Sequence, residues 1–228
     1  MKGRKRLPGD ERRAQILKAA TRVFADRHYR SSTLGHIARE AGVSEALICK
    51  HFTTKKQLFI ATIDATGSYL NNALEAMTAE TDKTPLEMLR EAFLFYFDYL
   101  NHDRGTARMI FQVSSELDDK DVRDALRAIL RRTSRTIRRA LVLGQDRGIV
   151  RSDIDLDSVT WLIVGCYQVL ALMKEVDGES AWKESTLSGF ITPILEPRYV
   201  RRLKAFTNGG ERPVRSGSAG APRDGRPA

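Results

Sequence analysis

Thr33 to Phe52 reads TLGHIAREAGVSEALICKHF, a stretch that divides into two short helices around a glycine-centred turn. Thr33 and Ser44 are good N-cap residues, because a hydroxyl can accept from the N–H groups that the first turn of a helix leaves unpaired. Gly42 stands where the first helix must end and the chain must reverse. Leu34, Ile37, Ala38, Ala41, Val43, Ile48 and Phe52 recur at spacings that let both helices share one small core. The other side of the second helix is left free and carries Glu45, Lys50 and His51, polar groups able to meet base edges or phosphates in a major groove. The pattern predicts a helix-turn-helix.

Charge points the same way. Residues 1–56 hold 14 Lys+Arg against 5 Asp+Glu, whereas residues 57–228 hold 24 of each, so the whole excess of +9 sits with the helix-turn-helix. Segregation of this kind is the footprint of a polyanion-binding surface. A membrane-attracted arm would explain Met1 to Arg6, MKGRKR, but not the ordered motif behind it.

Residues 10–60 resemble the DNA-binding domain of the TetR (tetracycline repressor-like) family of transcriptional regulators. Five stretches carry the resemblance: RRAQILKAATRVFADR, TLGHIAREAG, GVSEALI, the pair His51 and Phe52, and Lys55 followed by Leu58 and Phe59. Cys49 departs from it, since the family usually has tyrosine there. The resemblance implies groove-facing positions at Glu45, Ala46, Leu47, Cys49, Lys50 and His51, with Lys55 meeting the DNA backbone from the start of the next helix. Thr33 and Ser44, at helix N-termini, are candidates to receive phosphates. Leu47 has a thymine methyl group as its natural partner, and Lys50 either guanine O6/N7 or a phosphate. Glu45 either accepts from a cytosine amine or serves the helix dipole.

The remainder reads as helices with no convincing strand. The fold class expected is all-α: an N-terminal three-helix helix-turn-helix domain over residues 1–54, a helical effector-binding and dimerisation domain over 55–207, and a disordered tail over 208–228, with about nine helices in all. Helices are expected over Asp10 to Asp26, from a cap at Thr54, from Thr84 and Pro85, around Met109 to Val113, over Asp119 to Arg147 with Gly148 as its end, over Asp155 to Val176, and from Ser180. The Asp155 to Val176 helix is apolar nearly all round, so part of it must meet another subunit or the centre of its own domain. The resemblance favours a homodimer through the last two large helices, which would pair two recognition helices on a palindromic operator.

Phe93, Tyr96, Phe97, Phe111, Trp161 and Tyr167 are candidates to line an effector pocket, each alternatively a core residue. The arginines along Asp119 to Arg147 read as a solvated face offset by nearby aspartates. No P-loop, GxSxG, HExxH or GxGxxG is present, the four histidines lack metal spacing, and no catalytic residue or cofactor is expected. Cys49 and Cys166 are too few for a disulfide framework, and no apolar leader follows the basic start, which together lead to a cytoplasmic expectation. The apolar run Val159 to Met173 is shorter than the ~20 residues of a membrane span. These readings combine into a ligand-responsive repressor, no enzyme, that binds double-stranded DNA, itself and a small apolar effector. The competing reading is an effector-independent DNA-binding or architectural protein with a filled core.

Overall fold

The structure is a computed structural model that describes residues 8–79, 82–102, 104–177 and Leu195. Eight helices run in the order α1 Gly9–Arg27, α2 Leu34–Ala41, α3 Glu45–His51, α4 Lys55–Thr78, α5 Pro85–His102, α6 Arg104–Ser115, α7 Lys120–Asp146 and α8 Leu156–Asp177, and no strand occurs among the described residues. The fold is all-α, as the sequence predicts. The helix expected from Ser180, the tail from 208 and the arm Met1 to Arg6 lie outside the described residues.

Local chemistry sets the boundaries. Thr33 Oγ1 accepts from His36 N at 3.2 Å, Ser44 Oγ from Leu47 N at 3.2 Å and Thr54 Oγ1 from Gln57 N at 3.1 Å, so three successive helices are capped by the hydroxyls that the sequence offers. Thr84 and Glu87 form a reciprocal box, the carboxylate accepting from Thr84 N at 2.8 Å while Thr84 Oγ1 accepts from Glu87 N at 3.3 Å. Gly42 ends α2 at φ 62°, ψ 37°, where Val43 N donates to Ala38 O at 2.9 Å and Gly42 N to Arg39 O at 3.1 Å. Those two bonds satisfy carbonyls that the helix end leaves over, in a left-handed conformation that costs a glycine little.

Two apolar clusters hold the helices together. The first gathers Ile16, Phe24, Ile37 and Ile48 from α1 to α3 with Phe59 and Ile63 of α4, and it also takes in Met109 and Val113 of α6 and Val122 of α7. The core of the DNA-binding half therefore runs past residue 54 into the helices behind it. Full burial of each large side chain is worth about 1.5–3 kcal/mol, so truncating Phe24 or Phe59, both fully buried, would unseat α1 from α4. The second cluster joins Leu74, Leu89, Phe93, Tyr96, Ile137, Leu141 and Leu170 from α4, α5, α7 and α8. On α8 the outer side chains Trp161, Leu162, Val169, Leu172 and Val176 are exposed. By length and composition alone, Leu156–Val176 is long and apolar enough to cross a membrane, at 21 residues and mean hydropathy 1.5; the helix outruns the apolar run at its centre. Among the described residues, three of the seven arginines of α7 are ion-paired, Arg127 with Asp124, Arg132 with Glu75 at 2.8 Å and Arg138 with Asp157 at 2.6 Å, which suits a solvated face.

Candidate nucleic-acid interface and cavity

The α3 helix leans on the core through Ile48, which is fully buried, and leaves Glu45, Ala46, Cys49 and Lys50 exposed, with Leu47 and His51 half-buried at the edges. Thr33 and Ser44 are exposed at the N-termini of α2 and α3. The sequence's groove-facing set is thus brought to one surface. Phe52 closes the inner side, buried, with the guanidinium of Arg13 lying 5.0 Å from its ring centroid. Gln15 Nε2 donates to Ala41 O at 2.8 Å and so ties α1 to the last turn of α2.

Lys55 and Glu45 also make contacts within the motif. The ammonium of Lys55 donates to the backbone carbonyls of Tyr29 at 2.8 Å, Arg30 at 3.2 Å and Ser32 at 2.9 Å, and lies 4.6 Å from the Tyr29 ring centroid. An ammonium has three N–H donors, and its three carbonyl partners here all belong to the turn after α1. Glu45 turns back toward α2: its Oε1 lies 2.6 Å from where a Cβ on residue 35 would stand. The carboxylate thereby sits by the α2 N-terminus, which favours its dipole role over base reading.

Behind this surface lies a cavity of about 430 Å³ walled by α4, α5, α6, α7 and α8. Tyr96 and Tyr167 line it, their rings 5.0 Å apart edge to face, and desolvation pushes both phenols well above the ordinary tyrosine range, so that each is a neutral donor. Phe93, Phe97 and Phe111 do not line it. Phe93 is buried against Tyr167 at 5.7 Å, Phe97 packs in the same cluster and Phe111 stands half-buried on α6. Trp161 is also outside, 51 % exposed, because α8 offers the cavity only the stripe of Val164, Tyr167 and Gln168 and turns its other apolar stripe outward. The walls that sequence reading missed come from α4 and α7, Gly67, Asn71, Ile129 and Thr133 among them. Asn71 is 2 % exposed and its Oδ1 accepts from Thr133 Oγ1 at 2.8 Å. A buried amide in the middle of an apolar helix stripe was the available signal for that wall. Among the described residues, no charged side chain lines the cavity.

Known proteins share both the motif and the plan. Residues 16–62 match the tetR family of bacterial regulatory proteins, and residues 85–190 match a tetracyclin repressor-like C-terminal domain. The chain is 37 % identical over 108 residues to the HTH-type transcriptional activator FasR of Mycolicibacterium smegmatis, a match that spans 47 % of this chain and only 48 % of that protein. It is 30 % identical over 151 residues to the probable HTH-type transcriptional regulator ArpR of Pseudomonas putida, covering 64 % of this chain and 72 % of that one. Among solved structures, the transcriptional regulator FadR from Bacillus subtilis, in complex with stearoyl-CoA, superposes with a TM-score of 0.67 at 22 % identity over 77 % of this chain and 93 % of that one. A helix-turn-helix on a helical body defines a DNA-binding transcriptional regulator. The chain belongs to the TetR family.

Proposed function

We propose that the protein is a cytoplasmic, homodimeric repressor that leaves a palindromic operator when a small, largely apolar effector occupies the cavity. The observation that carries this reading is an uncharged cavity of about 430 Å³, large enough for a drug-sized molecule, on the same helices that support the helix-turn-helix. With Thr66, Asn71, Ser114, Thr133, Gln168 and the phenols of Tyr96 and Tyr167 as the polar groups and no side-chain charge among the described wall residues, the buried part of the effector is neutral, and any ionic group it carries stays outside. Exposed Trp161, Leu162, Val169 and Leu172 on α8 support pairing of two chains through that helix. DNA contacts are proposed at Thr33, Ser44, Ala46, Leu47, Cys49, Lys50 and His51, with Glu45 and Lys55 organising the motif from behind. Such an effector acts only by its differential affinity for the two arrangements of the recognition helices.

The effector-independent alternative requires a filled core, and the cavity speaks against it. Titration with N-phenyl-1-naphthylamine, a neutral apolar dye that brightens when desolvated, tests the choice. Saturable binding that Val164→Trp abolishes, with release of a duplex selected from genomic fragments, supports the effector reading. Absence of saturable binding supports the alternative, and tighter duplex binding with dye would make the effector one that loads the protein onto DNA rather than releases it.

A further inference from the structure

The two apolar clusters meet on α6. Met109 and Val113 belong to the cluster of Ile16, Phe24 and Phe59, and both also line the cavity. Between them in sequence is Gln112, a polar side chain only 6 % exposed, whose amide must find partners where it stands. Its partners are on the turn after α1: Tyr29 N donates to Gln112 Oε1 at 3.2 Å, and Gln112 Nε2 stands 2.7 Å from His28 Nδ1. Because a backbone N–H can only donate, Oε1 must face Tyr29 and the NH2 group must face the ring, so His28 Nδ1 accepts and the ring proton sits on Nε2.

That turn is held in an unusual shape. His28 has φ 62° and ψ 149°, and among the described residues it is the non-glycine with positive φ. Such a backbone persists only where its surroundings impose it. His28 O in turn accepts from Ser32 N at 3.1 Å and Ser32 Oγ at 2.6 Å, and Ser32 adjoins Thr33, the cap of α2. Two further polar ties from α6 and its end to this corner, Arg30 to Glu116 at 2.9 Å and Arg108 to Asp26 at 3.4 Å, both involve exposed, solvent-screened arginines.

We propose that Gln112 is the positioning residue that couples occupancy of the cavity to the helix-turn-helix, through its clasp on His28 and Tyr29. The inference rests on the effector reading of the cavity. A molecule there presses on Met109 and Val113, the helix moves, and Gln112 carries that movement into the turn that leads to the α2 cap. A buried amide either keeps its partners or loses them, which makes the response a choice between two arrangements rather than a gradual bend. Gln112 itself is not among the residues that line the cavity.

The full-length protein is titrated with N-phenyl-1-naphthylamine, and its affinity for a duplex selected from a random pool is measured with and without dye. Occupancy changes wild-type duplex affinity by about 5- to 150-fold, the usual span of coupling between sites. Gln112→Met keeps the length and burial but not the hydrogen bonds: dye affinity stays within about twofold of wild type while the effect on DNA falls below about twofold. Gln112→Glu, which still accepts from Tyr29 N, recovers a substantial part of the coupling. His28→Gly, at an exposed position, removes the ring partner but keeps the bond from Tyr29 N, so coupling falls below wild type to about the level of Gln112→Glu, and the test stands even if the Met variant misfolds. Full coupling in either Gln112→Met or His28→Gly overturns the proposal. Dye that binds the wild type without changing DNA affinity overturns it while leaving the cavity as a binding site; dye that does not bind at all overturns the effector reading first.

Discussion

At the scale of single residues, Lys55 holds contacts that its motif position does not announce. Its three carbonyl partners lie 23 to 26 residues upstream, and no local pattern connects them to it. The sequence made the phosphate role natural by placing a lysine at a helix start beside the recognition helix. Lys55→Ala is expected to lower unfolding free energy by about 1.5–3 kcal/mol, the worth of hydrogen bonds to a charged group, and to leave the log-log salt slope of DNA binding unchanged. Unchanged stability with a slope reduced by about one unit would restore the phosphate role. Lys50, exposed on α3, is different: Lys50→Ala is expected to relax preference at one base position in a binding selection, and an unchanged consensus would make it a backbone contact. Cys49 is exposed on the same face, so Cys49→Tyr should tighten specific and unspecific duplexes alike by ~0.5–1.5 kcal/mol, one neutral hydrogen bond. A gain confined to one sequence would contradict a phosphate contact.

At the scale of elements, what the sequence disclosed is what neighbours within four residues decide. Caps at Thr33, Ser44 and Thr54, the Thr84 start and the Gly148 end with φ 69° were all legible for that reason. Which face of α5 or α8 meets the cavity was not, because both helices carry apolar residues all round and only tertiary packing chooses among the stripes; hence Tyr96 and Tyr167 line it while Phe93 and Trp161 do not. The start of α7 supplies a pH test. Asp119 caps that helix through Asp121 N at 2.9 Å, and hydrogen bonding from Lys56, ahead of those cap bonds, holds its carboxyl below the usual range. Lys56 is raised in turn, first by Asp121 and then by Asp119. A carboxyl depressed in the folded state contributes stability that is present above the ordinary value of ~3.9 and is lost as pH falls through the lowered one. The raised ammonium contributes below ~10.4 and loses it as pH rises further. Asp119→Asn keeps the cap oxygen but not the charge, so its melting temperature should fall below wild type near neutral pH and converge with it in acid. A deficit of equal size at every pH would assign the loss to the cap alone.

At the scale of the whole molecule, the features that follow from one another are a basic helix-turn-helix end, an uncharged cavity behind it and an apolar outer face on α8. A single α3 covers only one half-site, and the exposed α8 face is the surface proposed to pair two. Trp161→Glu, placed where the side chain is 51 % exposed, should leave each chain folded but shift sedimentation from dimer to monomer and weaken duplex binding; an unaltered dimer would move the interface elsewhere. The central claim is sequence-specific binding by two symmetric recognition helices, and the most direct test is selection and sequencing of bound genomic fragments, followed by footprinting of the enriched site. The account predicts one palindromic motif protected as two half-sites about one helical turn, ~10–10.5 base pairs, apart or a multiple of it. Enrichment of no motif, or of a single asymmetric site protected on one side only, would contradict it.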